Sequence, residues 1–285
     1  MKILVLGITG MLGSAVFRTF GSDQEHEVWG TMRSSANREN FSESECRRLL
    51  AGIDVLDQDA LVAAMEKVRP DVVINCVGLI KQQSDANDPL TALPINAMLP
   101  HRLAHLCALL GARLIQVSTD CVFSGRKGGY QEDDPSDAED LYGKSKFIGE
   151  LHHLPNAITL RTSIIGHELS SNHSLVDWFL AQETNVRGFS HAIFSGLPTV
   201  ELARVMKDFV VPHPELHGLY HVAADPIAKL DLLRLIARQY DKKIEIRPDS
   251  TLVIDRSLNG ARFARATGYK APTWPRLIEL MHATR

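Results

Sequence analysis

The chain has 285 residues, 45% of them hydrophobic and 23% charged, which suits one extended α/β domain or a domain with a smaller cap. Lys and Arg total 31 against 34 Asp and Glu, so there is no basic surplus of the kind that draws nucleic acid or an anionic membrane. The four cysteines, Cys46, Cys76, Cys107 and Cys121, have no C-x-x-C spacing, which argues against a metal cluster or a secreted disulfide framework and for a reducing, cytoplasmic setting. The N-terminus enters a strand at once, with no signal-like apolar stretch, and no apolar run approaches membrane-spanning length.

In chain order, short β-branched apolar runs alternate with amphipathic stretches. Strands are predicted at Lys2 to Leu6, Glu27 to Thr31, Gly52 to Asp54, Asp71 to Cys76, Ala112 to Ser118 and Ala157 to Arg161. Helices are predicted at Met11 to Phe20, Asp57 to Val68, Pro89 to Leu110 and Asp140 to His152. This alternation implies a Rossmann-type, doubly wound parallel sheet over residues 1–163. After Ser163 the pattern changes, and residues 164–285 are expected to form most of a smaller α/β substrate lobe, with allowance for the chain to cross back. Within that lobe helices are expected at Leu175 to Glu183, Val200 to Val211 and Pro275 to Ala283, and Gly218 to Val222 is expected to pair with Ile244 to Arg247.

The first chemical motif follows the first strand: Gly7-Ile-Thr-Gly10-Met-Leu-Gly13. A turn there must be tight, must let phosphates reach backbone N–H groups, and must start a helix whose positive end faces a pyrophosphate. Gly7, Thr9, Gly10, Met11, Leu12 and Gly13 are therefore the expected phosphate cradle. Past the second strand, Arg33 stands where an acid would hydrogen-bond the ribose of NAD; a guanidinium can instead fork onto a 2′-phosphate, so NADPH is the expected cofactor, with NADH the alternative. Asp54 and Val55 are expected near the adenine, and Cys76, Val77 and Gly78 beside the path of the cofactor over the sheet edge.

Two further motifs complete the machinery. Val117-Ser-Thr-Asp-Cys-Val-Phe-Ser-Gly125 leaves the fifth strand, and Tyr142 and Lys146 stand at i and i+4, on one face of a helix. An unperturbed phenol ionises near pH ~10, and the Lys146 charge together with contacts from the cofactor ribose is expected to lower that value. Tyr142 would then protonate the alkoxide formed when hydride reaches a carbonyl carbon, with Thr119 holding the oxygen.

These residues resemble the extended short-chain dehydrogenase/reductases, and within them the dTDP-4-dehydrorhamnose reductase group, over nearly the whole chain. The marks are Gly7-x-x-Gly10-x-x-Gly13, Ser118-Thr-Asp-x-Val-Phe123 with Gly125, Tyr142-Gly-Lys-Ser-Lys146 with Gly149-Glu150, Leu160-Arg-Thr-Ser163 and Gly196-Leu-Pro-Thr199. The resemblance implies a nucleotide-sugar 4-ketoreductase with Thr119, Tyr142 and Lys146 as catalytic positions, and it adds Thr162 to the cofactor site. It also implies a C-terminal lobe that grips the nucleotide sugar. Lys81, Thr119, Cys121, Phe123, Tyr142, His173, Arg187 and Phe194 are the expected substrate contacts, and a homodimer is compatible with the reading.

Three positions depart from the pattern: Met11 replaces glutamine, Cys121 replaces tyrosine and Ile164 replaces tryptophan. With the longer segment from Gly166 to Ser174, they open the substrate to dTDP-4-dehydrorhamnose or a UDP-linked N-acetylated 4-keto-6-deoxy sugar. Sugar dehydratases resemble Thr-Asp-Glu at the strand-five end, so Cys121 disfavours elimination. A nucleotide-sugar epimerase, and the NADP-binding regulatory subunit of methionine adenosyltransferase, remain the alternatives. His101 and His105, at i and i+4, have no third ligand partner and are expected to pack, and His152-His153 is expected to end a helix.

Overall fold

The computed structural model describes residues 1–22, 25–80, 87–169 and 174–285. The elements are β1 (Lys2–Leu6), α1 (Met11–Gly21), β2 (Glu27–Met32), α2 (Glu43–Cys46), β3 (Leu49–Ala51), α3 (Gln58–Val68), β4 (Val72–Asn75), α4 (Pro89–Ala92), α5 (Leu99–Leu110), β5 (Arg113–Thr119), α6 (Leu141–Ile148) and β6 (Ala157–Thr162). There follow β7 (Ile164–Ile165), α7 (Leu175–Ala181), β8 (Val186–Phe194), β9 (Leu197–Pro198), α8 (Thr199–Val205), β10 (Gly218–His221), β11 (Ile227–Ala228), α9 (Lys229–Gln239), β12 (Ile246–Asp255), α10 (Ala261–Thr267) and α11 (Trp274–His282). A π-helical stretch, Leu93–Met98, joins α4 to α5. Among the described residues no helix is long and apolar enough to cross a membrane.

The main sheet has seven strands in the order β10-β6-β5-β4-β1-β2-β3, all parallel. Its strands alternate between two buried faces, as the period of two demands. Ile3 and Val5 of β1, Val72 and Ile74 of β4 and Ile115 of β5 enter one apolar layer, with Val16, Phe17 and Phe20 of α1. Leu4, Leu6, Val73 and Leu114 enter the other, with Leu61, Met65 and Val68 of α3 and Leu103 and Cys107 of α5. Strand order reverses beside β1, with β2 on one side and β4 on the other, and ligands of doubly wound sheets collect at that switch point, outside the carboxyl ends.

The second half of the chain departs from the expected layout in its pairings. Gly218–His221 does not pair with the Ile244 to Arg247 region; it runs parallel to β6 as the edge of the main sheet. The partner of β12 is β8, with β11 on the other side of β8. Short strand patterns carry no label for their partners, and β10 is mostly buried where it pairs with β6. Val186, Phe194, Leu232, Ile236 and Trp274 belong to the same apolar layer as α1, so the lobe shares its core with the sheet.

Two other boundaries move. Strand three is Leu49–Ala51, before the predicted Gly52 to Asp54: the leucines pair with β2, and Gly52, at φ +80, ends the strand. Helix α6 stops at Ile148, so His152 lies beyond the helix and meets Glu150 Oε2 at 3.2 Å rather than a helix end. His101 packs as expected, its Nε2 2.7 Å from the Ile148 carbonyl oxygen.

Candidate active site

The glycine turn leaves β1 at the switch point. Gly7 takes φ +80, and a Cβ on Gly13 would lie 2.1 Å from the Gly7 carbonyl oxygen, so only glycine lets α1 start this close to the strand. The Gly7 N–H donates to Thr31 Oγ1 at 3.3 Å and the Gly10 N–H to the Gly7 carbonyl oxygen at 3.1 Å. Gly10 is the N-cap of α1, and no side chain caps the helix. The first N–H groups of α1 are therefore left for an outside acceptor, a geometry that fits a dinucleotide pyrophosphate. Thr9 and Met11 are half-buried at this turn and Leu12 is in the core.

Arg33 follows the last residue of β2 with its side chain exposed. Asp54 accepts the Leu56 N–H at 2.9 Å in the loop after β3, and Ile53 is tied to the Met32 carbonyl oxygen at 3.1 Å, which brings that loop beside the end of β2. Val55 is half-buried there. Thr162 ends β6 in register with Thr119, but it is buried and its hydroxyl donates to the Ser163 carbonyl oxygen at 3.2 Å.

The three expected catalytic residues converge at the carboxyl end of β5. Asp140 caps α6 by accepting the Gly143 N–H at 2.8 Å, which fixes the first turn of the helix that carries Tyr142. A Cβ on Gly143 would lie 2.2 Å from the Cys121 carbonyl oxygen, so the glycine after Tyr142 is what lets α6 press against the loop after β5. The Tyr142 phenol thereby meets the Thr119 hydroxyl and lies close to Cys121. Thr119 also accepts the Cys121 N–H at 3.1 Å and reaches Asp120 Oδ1 at 3.2 Å. Lys146 donates to the Val117 carbonyl oxygen at 2.7 Å, and a Cβ on Gly78 would be 3.7 Å from its ammonium, so the end of β4 and Lys146 face one another.

The electrostatics correct one expectation. Burial raises the Tyr142 phenol well above its ordinary value; Cys121 adds to the rise, Thr119 opposes it, and Lys146 is not among the causes. The Lys146 ammonium donates to the Val117 carbonyl oxygen, and burial lowers its own pKa to about 8. Tyr142 is thus protonated at neutral pH. Burial likewise pushes the thiols of Cys121 and Cys76 up to about 12, which keeps both neutral.

Two expected substrate contacts are core residues. Phe123 is fully buried, stacked on Tyr130 at 4.0 Å and covered by the Arg161 guanidinium at 4.9 Å; Phe194 packs on Trp274. Arg187 is exposed on β8, 3.3 Å from Asp249, and lines an open depression of about 660 Å³ with Trp178, Phe189 and Arg247. Lys81 and His173 lie outside the described residues.

The structure adds Asn96, which no motif singled out, and shows what Ser118, Glu150 and Arg161 of the motifs touch. Asn96, buried in the π-helical stretch, bonds both backbone groups of Leu79 at 2.9 and 3.1 Å and donates to Ser145 Oγ at 3.2 Å, tying the end of β4 to α6. Its signal was a polar residue on an apolar helix face. Beneath Thr119, Ser118 donates to Glu150 Oε1 at 2.6 Å, and Arg161 grips Glu150 with Nε at 2.9 Å and Nη2 at 2.6 Å. Burial by itself would raise the Glu150 carboxyl, but hydrogen bonds from His152, Arg161 and Ser118 hold it low.

Comparison with known proteins gives the family and the fold. The methionine adenosyltransferase 2 subunit beta of Danio rerio is 28% identical over 257 residues, 84% of this chain and 74% of that protein. A probable low-salt glycan biosynthesis reductase of Haloferax volcanii is 33% identical over 171 residues, 58% of this chain and 54% of that protein. The fold superposes on the dTDP-4-dehydrorhamnose reductase of Bacillus anthracis in complex with NADP with a TM-score of 0.80, at 20% identity, covering 100% of this chain and 98% of that one. The family described as the RmlD substrate binding domain matches residues 1–266, and the chain belongs to that family.

Proposed function

We propose that the protein reduces the 4-keto group of a nucleotide-linked 4-keto-6-deoxy sugar, dTDP-4-dehydrorhamnose or a related UDP-N-acetyl sugar, with NADPH. The observation that carries this reading is the convergence of Thr119, Tyr142 and Lys146 at the carboxyl end of β5, beside the uncapped start of α1. When bound, the nicotinamide supplies the hydride. Tyr142, neutral and next to Thr119, gives its proton to the alkoxide oxygen, while the Thr119 hydroxyl holds that oxygen in place. Arg33, exposed past β2, would bind the 2′-phosphate. Cys121, neutral and beside the phenol, offers no acid for elimination.

The test is consumption of NADPH by purified protein across a panel of dTDP- and UDP-linked 4-ketosugars, with products identified by NMR. Oxidation with one of them and a new 4-hydroxyl is the expected result. No consumption of either nicotinamide by any of them ends the reductase reading. The match to methionine adenosyltransferase 2 subunit beta favours a second reading, an NADP-binding subunit without turnover. NADP binding without oxidation of any substrate, together with capture of a methionine adenosyltransferase catalytic chain, supports that alternative.

A further inference from the structure

The structure delivers Arg256, which no sequence motif marks, to the reaction end of β5. The segment after β12 zips onto the loop after β5: the Asp255 N–H donates to the Gly125 carbonyl oxygen at 2.7 Å, the Tyr130 N–H to the Ser257 carbonyl oxygen at 2.8 Å and the Asn259 N–H to the Tyr130 carbonyl oxygen at 2.7 Å. Gly125, at φ +88, makes the approach possible, since a Cβ there would lie 2.4 Å from Ile254 Cγ1 and 3.0 Å from Arg256 Cγ. The half-buried Arg256 side chain runs over that glycine. Its Nε donates to the Phe123 carbonyl oxygen at 2.8 Å and its Nη1 lies 3.9 Å from Cys121 Sγ, the sulfur beside the Tyr142 phenol.

Guanidinium has five N–H donors, and the two on Nη2 have no partner among the described residues. No carboxylate among the described residues forms an ion pair with Arg256, although the buried Asp120 senses its charge and that of Lys229, the first residue of α9. Two cations thus face one buried carboxyl, and burial raises that carboxyl. A fixed, half-desolvated fork with spare donors beside the proton donor fits anionic oxygens better than a neutral hydroxyl.

We propose that Arg256 anchors an anionic group of the substrate, a carboxylate or a phosphate, next to the carbonyl that Tyr142 serves. The proposal rests on the nucleotide-sugar reading above. It is tested by calorimetric titration of the NADP-saturated protein, wild type, Arg256→Ala and Arg256→Lys, with UDP, UDP-glucose and UDP-glucuronate, and with dTDP and dTDP-glucose in parallel. Arg256→Ala should lose affinity by about tenfold or more, with part recovered in Arg256→Lys, and NADP affinity unchanged. An equal loss across all the nucleotides identifies phosphate as the anchored group; a loss confined to UDP-glucuronate identifies a sugar carboxylate, which a 6-deoxy sugar lacks, and so overturns the 6-deoxy part of the reading above. If Arg256→Ala binds every probe as the wild type does, the anchor is wrong and the reductase reading stands. If the wild type binds NADP but none of the nucleotides, both fall.

Discussion

The Lys146 ammonium donates to the Val117 carbonyl oxygen at 2.7 Å, on the same strand whose end presents Thr119. The bond ties the last turn of α6 to β5 and holds the charge against the end of β4, where Gly78 leaves room for it. Burial brings this ammonium down to about 8, with Glu150 and Cys76 opposing that shift. It is therefore charged at neutral pH and neutral above about 8. NADPH affinity and kcat/KM of the free enzyme should be level below that value and decline above it. A fluorescence titration of NADPH across pH checks this, and a profile with no decline above about 8 contradicts it.

Tyr142→Phe keeps the ring and removes the transferable proton. Turnover should fall by roughly 10²–10⁴-fold while NADPH binding is unchanged, because the ring still fills its place between Thr119 and Cys121. Near-normal rates in single-turnover measurements would remove Tyr142 from the mechanism.

How far the sequence could be read depended on whether a feature is local. Gly7, Gly10 and Gly13 are legible because a strand-turn-helix of that tightness constrains each position by itself. The pair Tyr142 and Lys146 is legible because helical spacing alone puts the two on one face. Partners across the chain are not. The pairing of β10 with β6, the burial of Phe123 under Arg161, and the approach of Arg256 to Cys121 all depend on contacts between residues dozens of positions apart. The raised phenol of Tyr142 was hidden for the same reason: it comes first from burial, with Cys121 adding to it, and residues on separate elements supply that cover.

Arg33→Ala should weaken NADPH binding by about tenfold or more and NADH binding little, since only the former carries the phosphate that a guanidinium can fork onto. Arg33 is exposed past β2, so the substitution leaves the core untouched. Dissociation constants for both cofactors decide it, and equal losses would show that Arg33 does not read the phosphate.

Glu150 is buried, accepts two bonds from Arg161 and one from Ser118, and stands one turn beyond Lys146. Glu150→Ala leaves the Arg161 charge buried and unpaired, which costs roughly 3–5 kcal/mol. Glu150→Gln should cost less, because the amide oxygen still accepts. Urea unfolding of both variants tests the order, and a Glu150→Ala protein as stable as the wild type refutes it.

The last prediction concerns acid. His221 is fully buried; its Nε2 lies 2.9 Å from Arg161 Nη1 and its Nδ1 3.1 Å from the Tyr130 carbonyl oxygen. Arginine can only donate, so Nε2 accepts and the proton sits on Nδ1, donating to Tyr130. A second proton would set two N–H groups against each other. Burial first, and then the Arg161 charge, lower this imidazole from 6.5 to about 3. A base depressed in the folded state takes up its proton more readily on unfolding, so its contribution to stability is whole above 6.5 and drains as pH falls towards about 3. Thermal midpoints should therefore drop below pH 6.5, before the carboxylates titrate, and His221→Gln, whose amide can both accept and donate, should flatten that part of the curve. An unchanged slope in His221→Gln would place the acid sensitivity elsewhere.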